Sequence, residues 1–206
     1  FRSKFFSRLF IVFNLRLFDL FYRYMHRKKL IQNLRNYQTK WENEPDTVEQ
    51  FIEFVSTNEN CFERKLKEGH ITGSAWVVSK DGRQVLLTHH KKLNRWFQLG
   101  GHADGNSDVL QVAMREALEE SGLERVEPIS REIFDIDIHK IPERGSEPEH
   151  YHYDVRYAFK VDGSEKYVVS DESHNLSWIE IENLSELTEE ESMLRMARKW
   201  KAVRDI

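Results

Sequence analysis

Hydrophobic positions change their period near Gly69. Upstream, Val48, Phe51, Ile52 and Val55 return every three or four residues behind Asp46, which predicts a helix over residues 46–55 with Asp46 as its cap. Downstream, residues 71–79 and 84–89 are β-branched and apolar runs split by Lys80-Asp81-Gly82-Arg83, the pattern of a hairpin. Trp96-Phe97-Gln98-Leu99 predicts a short strand running into Gly100-Gly101. There the missing Cβ atoms suit a tight loop and a close approach of backbone to ligand. Helical spacing resumes with Val109, Val112 and Ala113 on one face and stops at Gly122, a left-handed cap. Further strands are predicted over 132–141, 151–161 and 176–181, and a closing helix over 189–203. No internal repeat interrupts this order. It divides the chain into a helical extension, 1–68, and one α/β domain, 69–206.

The helix after Gly101 carries the chemistry. It ends in Arg115-Glu116-Ala117-Leu118-Glu119-Glu120-Ser121-Gly122. At about 100° per residue, Glu119 and Glu120 flank Glu116 by about 60° and about 40°, continuing the face begun by Val109, Val112 and Ala113. Like charges at this spacing cost about 0.2–0.5 kcal/mol per pair, and carboxylates in the last turns also oppose the helix dipole. The solvent side is assigned to Asp108, Gln111 and Arg115, so the carboxylates need a partner. Hard divalent cations take oxygen ligands, and Mg²⁺ is held by a few carboxylates together with water and substrate phosphates.

Gly101, Arg115, Glu116, Ala117, Glu119, Glu120, Gly122 and Leu123 resemble the Nudix hydrolase signature, in which Gly and a spaced Glu precede Arg-Glu-x-x-Glu-Glu-x-Gly and an apolar residue. One place departs: the first Glu of the signature is Ser107 here. In the family that Glu supports the loop and helix, while the Arg-Glu-x-x-Glu-Glu part carries metal. In its place Asn106 or Ser107 can accept from the amides at the helix start, with Asp108 in the first turn. The resemblance spans about residues 69–181 and implies the Nudix α/β/α sandwich with a mixed sheet, here preceded by the helical extension.

The resemblance further implies Mg²⁺ or Mn²⁺ at Glu116, Glu119 and Glu120, aided by backbone near Gly101, and hydrolysis of a pyrophosphate linkage in a nucleoside diphosphate joined to another moiety. Glu119, Glu120 or Glu172, in the loop ahead of the last strand, would serve as base. Gly100, Gly101, Arg95 and His152 are the expected substrate contacts. Two other readings stand beside this one. A non-catalytic sensor of a nucleotide or ADP-ribose on the same fold is encouraged by Ser107. An isopentenyl diphosphate isomerase needs a pocket cysteine, whereas Cys61 precedes the sheet.

His150, His152 and Asp154 share one face of a strand by the two-residue period, opposite Tyr151, Tyr153, Val155 and Tyr157. With His139 and His174 nearby, that face admits a zinc or iron site, a pocket lining, or an ordinary hydrogen-bonded polar face. Lys91, Lys92 and Arg95 can meet phosphates or lie as exposed loop charges. Trp96 and Phe97 can stack on a base, but in a strand entering the core they read as packing.

Charge separates the two parts. Ten basic residues face only Asp19 in the first forty, a charge of +9, which leaves −13 on the remainder of a chain whose net charge is −4. An acidic domain argues against a nucleic-acid surface and for a small phosphorylated substrate met through a metal. The first thirty residues mix Phe and Leu with Arg too often to span a bilayer. They suit a basic amphipathic helix in peripheral contact with a membrane or with the domain, a targeting segment, or residues upstream of a start at Met25. A single cysteine, Cys61, excludes an internal disulfide framework and fits the cytoplasm.

Overall fold

The structure is a computed structural model that describes residues 25–41, 43–91, 94–145, 147–169 and 173–204. The readings made for residues 1–24 therefore lie outside the described residues. Residues 25–40 form helix α1 and Pro45–Thr57 helix α2. The chain continues through β1 (Gly69–Val78), β2 (Gln84–His90), β3 (Arg95–Phe97), β4 (Leu99–His102) and α3 (Val109–Ser121). It closes with β5 (Val126–Pro128), β6 (Asp135–Ile141), β7 (His150–Val161), β8 (Ser173–Glu180), the short α4 (Leu184–Leu187) and α5 (Glu191–Val203).

The eight strands form one mixed sheet. β1 and β2 pair at Val78–Val85 beside their turn. The β3–β4 segment then bridges them, with β3 antiparallel to β2 and β4 antiparallel to β1 from Thr72–His102 to Ala75–Leu99. On its other edge β1 runs parallel to β7, from Gly69–Tyr151 to Val78–Lys160. β5 and β6 pair antiparallel with β7, and β8 with β2.

Alternation along the strands makes two cores. Ile71, Ala75, Val77, Leu86 and Leu99 meet Val109, Val112, Ala113 and Ala117 of α3 on one face. Trp76, Val78, Val85 and Leu87 meet Met193, Met196, Ala197 and Trp200 of α5 on the other. This is the α/β/α arrangement expected from the sequence. Both faces of β1 are covered, which is why all ten of its residues are buried.

The extension is part of the first core. Leu30, Leu34 and Tyr37 of α1 and Val48, Phe51, Phe54 and Val55 of α2 are buried in it, and Phe54 stacks on Tyr153 with ring centroids 3.7 Å apart. Several expectations shift in detail. Helix α2 starts at Pro45, whose fixed φ suits a first turn, with Glu44 rather than Asp46 at the cap position. Phe54, not Ile52, completes its buried stripe. Residues 132–134 precede β6 rather than belonging to it, and β5, three residues long, has too little pattern to be read in advance. Gly100 and Gly101 lie in strand β4, not in a loop.

A buried ionic network ties the α5 side together. Asp135, fully buried, accepts from Arg156 Nη1 at 3.0 Å, Arg195 Nε at 2.9 Å and Lys199 Nζ at 2.6 Å. Lys199 also bonds the Tyr37 hydroxyl of α1 and pairs with Glu44 at 2.5 Å. Asp154 is held by Arg156 Nε at 2.7 Å and by the Thr72 and Ser74 hydroxyls at 2.8 Å each. Burial pushes the Asp135 carboxyl upward, but the Arg195 hydrogen bonds and the charges of Arg156 and Lys199 outweigh it and hold it below the usual carboxylate range.

Candidate active site

Helix α3 begins at Asp108, whose side chain accepts from the Gln111 amide at 3.3 Å. Asn106 accepts from the Asp108 amide at 3.0 Å instead of capping the helix itself. Ser107, at the signature's departure, bonds Nδ1 of His26 in α1, so this position ties the extension to the start of α3. Gly122 ends the helix at φ +65°, a left-handed cap as expected.

The carboxylates divide. Glu120 accepts from the Gly100 amide at 3.0 Å. Glu116 lies over Gly101, where an added Cβ would sit 2.4–2.7 Å from its carboxylate atoms. Both point at the backbone of β4. Glu119 is turned outward, its side chain 60% exposed against 15% for Glu116. Arg115 joins them, 2.7 Å from Glu116 and 3.5 Å from Glu119, and donates to the His102 carbonyl at 3.3 Å. Part of the repulsion implicit in the sequence is therefore offset by one guanidinium.

The two glycines serve different neighbours. A Cβ on Gly100 would meet the Cα and Cβ of Ser74 at 2.8 Å, which cannot give way without parting β4 from β1. On Gly101 the three atoms it would meet first all belong to the end of the flexible Glu116 side chain. Gly100→Ala is accordingly expected to cost about 1–3 kcal/mol in chemical denaturation. Gly101→Ala should leave the unfolding midpoint nearly unchanged yet displace the Glu116 carboxylate, and divalent-metal titration of the two variants reads the difference.

The remaining candidates are more dispersed. Arg95 pairs with Glu190 ahead of α5, on the face opposite α3. Trp96 packs against the second core and stacks on His89 at 5.0 Å. Asp154 is occupied by Arg156 and two hydroxyls. Glu172 and Lys92 lie outside the described residues, as does the side chain of His174. Cys61 is buried, and burial pushes its thiol up to about 12.

His152 does not stand alone. The register sets it beside His70 of β1 and His139 of β6. Ring centroids lie 4.8 Å apart for His70–His152, 4.9 Å for His70–His102, 4.9 Å for His70–His150 and 5.1 Å for His102–His152. Burial, reinforced by neighbouring imidazoles, pushes His70 down to about 4 and His152 to about 2. Burial and the Arg64 charge lower His102. His70 and His102 escaped the sequence reading because only strand pairing brings them to His150 and His152. A lone His in an apolar strand carries no such signal.

A cleft of about 710 Å³ lies between the β1–β2 turn and α5, lined by Gly82, Arg83, Lys160 and Trp200. It shares no residue with the glutamate or histidine groups. Oxygen donors converging on glycine backbone, rather than cleft size, mark the candidate site.

A mixed sheet between helices, with Arg-Glu-x-x-Glu-Glu at the end of the helix laid over β4, defines a Nudix fold. The NUDIX domain family matches residues 69–200, and the chain belongs to that family. Among solved structures it is similar to the MutT protein of Methanosarcina mazei Go1, with 16% identity over 68% of this chain and 99% of that one, at a TM-score of 0.53. It is also similar to a C. elegans Ap4A hydrolase in a binary complex, with 20% identity, 66% and 97% coverage and a TM-score of 0.50. A third is the E. coli dihydroneopterin triphosphate pyrophosphohydrolase, with 14% identity, 63% and 92% coverage and a TM-score of 0.51. At these identities the likeness is one of fold. No curated protein sequence matches the chain. Among the described residues no helix is long and apolar enough to cross a membrane.

Proposed function

We propose that the chain is a Mg²⁺- or Mn²⁺-dependent Nudix hydrolase that cleaves a pyrophosphate linkage in a nucleoside diphosphate joined to another moiety. The observation that carries this reading is the convergence of Glu116 and Glu120 on the Gly100–Gly101 backbone beside Arg115. Carboxylate and peptide oxygens are the donor set that a hard divalent cation takes, and Gly101 adds no side chain of its own beneath the Glu116 carboxylate. Glu116, Glu119 and Glu120 would hold the ion, which supplies charge screening for the phosphates and a more acidic water.

This chain's own groups do the rest. Arg115 holds Glu116 toward β4 and balances part of the acidic charge when the ion is absent. The Gly100 amide fixes one Glu120 oxygen and so holds this carboxylate against β4. Glu119, being exposed, is the carboxylate freest to act as base toward an attacking water, with Glu120 and Glu172 as alternatives. Gly100 and Gly101 admit a phosphate close to the backbone, whereas Arg95, paired with Glu190, and His152, among the histidines across the sheet, are set apart from them. Names of similar structures, an Ap4A hydrolase and a dihydroneopterin triphosphate pyrophosphohydrolase, support the reaction class and leave the substrate open.

The test is a panel of nucleoside triphosphates, nucleotide sugars, ADP-ribose, dinucleoside polyphosphates and coenzyme A with Mg²⁺ or Mn²⁺. Turnover of at least one compound, abolished by chelation, is the expected result. A sensor on the same fold is the second reading, favoured by Ser107 being committed to His26 rather than supplying a carboxylate. Binding of a nucleotide with no product formed in any metal would decide for the sensor.

A further inference from the structure

His70, His150 and His152 are the one trio among the described residues whose ligand atoms all lie within 4.8 Å of one another. They come from two parallel strands held close by Gly69, at φ +150°, where an added Cβ would sit 2.4 Å from the Tyr151 carbonyl oxygen. The trio lies across the sheet from the glutamates. Gly101 of β4 turns toward Glu116, while the next residue, His102, turns to the opposite face and meets His70 and His152.

Two features set this group apart from a polar face. First, His70 is 1% exposed and both of its ring nitrogens lack a partner, although a neutral imidazole carries one donor and one acceptor. Leaving such a group buried and unsatisfied incurs its full desolvation cost. Second, His150 Nδ1 lies 2.8 Å from the Pro148 carbonyl oxygen, which sets its proton on Nδ1 and leaves the Nε2 lone pair turned toward His152 Nε2 at 3.3 Å. An outer N–H given to a backbone carbonyl is the usual support of a zinc-bound imidazole. With Zn–N bonds of about 2.0–2.1 Å, neighbouring ligands of a tetrahedral ion sit about 3.3 Å apart. A His152 Nε2–H donating to His150 would satisfy that pair alone. It would leave His70 as it is.

We propose that His70, His150 and His152 form a binding site for a late first-row divalent cation, for which Zn²⁺ is the probe, separate from the Mg²⁺-type site of the glutamates. His102, with its ring centroid 4.9 Å from His70 and 5.1 Å from His152, flanks the trio, and imidazole donors select such ions over Mg²⁺. The Asp137 carboxylate, 3.1 Å from His139 Nδ1, orients a further imidazole at the rim beside His152. The site is independent of the hydrolase reading.

The experiment is equilibrium dialysis of the full chain, stripped with chelator, against Zn²⁺ and Co²⁺. One ion per chain is expected at a Kd below about 1 µM, with the intense visible Co²⁺ absorption of a tetrahedral site. Outer partners of zinc ligands are worth about 10–100-fold in affinity, so His70→Gln and His152→Gln should each weaken binding by more than about 100-fold. Glu120→Gln should leave this affinity unchanged. Absence of Zn²⁺ binding by the wild-type chain overturns the proposal, as does undiminished binding in both histidine variants or its loss in Glu120→Gln. If His70→Gln does not fold, imidazole Cε1–H signals of the wild-type chain decide: at least three must move on adding Zn²⁺.

Discussion

Glu120→Gln is expected to lower kcat on whichever compound the panel identifies by about 10²–10⁴-fold, the usual worth of a general acid or base. The substitution is informative because Gln keeps a side-chain oxygen able to accept from the Gly100 amide, the 3.0 Å bond that fixes Glu120 to β4. Shape and fold support are retained while the negative charge is lost. Thermal unfolding should therefore be nearly unaltered in the absence of metal, while apparent Mg²⁺ affinity and turnover fall together. Glu119→Gln separates the remaining roles. Its side chain is exposed and paired at 3.5 Å with Arg115, so its effect should fall on kcat more than on metal affinity if it is the base. Unchanged turnover in both variants would end the assignment of this helix as the active site.

Asp135→Asn should destabilise the chain by about 3–5 kcal/mol in chemical denaturation, because it removes the fully buried carboxylate that three cations share. Arg156, Arg195 and Lys199 all meet this one carboxylate within 3.0 Å. Adding Lys199→Met should recover part of the loss, since the second change removes one of the excess buried positive charges, and the double-mutant cycle measures the coupling. The pH dependence follows from the direction of the shift. A carboxylate held below its unfolded value of about 4 contributes stability that is complete above that value and is lost as pH falls through the folded one. Wild-type stability should accordingly drop in acid below about pH 4, and Asp135→Asn should flatten that part of the curve. A variant with an unchanged acid limb would show that other groups govern it.

What the sequence made legible was local. The period change near Gly69, the hairpin at Gly82 and the stop at Gly122 each depend on neighbours within a few residues, and each stands in the fold. The departures need partners distant in the chain. Gly100 and Gly101 are strand residues because β4 fills the gap between diverging β1 and β2, which no local pattern announces. Glu119 falls on the solvent side because α3 is rotated so that Glu116 and Glu120 straddle β4. The histidine group illustrates the same limit: one strand supplied His150 and His152, and the parallel register of β1 with β7 supplied His70.

The family match opens at residue 69, yet the first core includes Leu30, Leu34, Tyr37, Val48, Phe51, Phe54, Val55, Cys61 and Phe62. A fragment cloned to the boundaries of the match would lose this apolar lid and leave a broad greasy surface in water, the kind that drives aggregation. For this chain the inherited catalytic unit and the physical folding unit are different lengths of polypeptide.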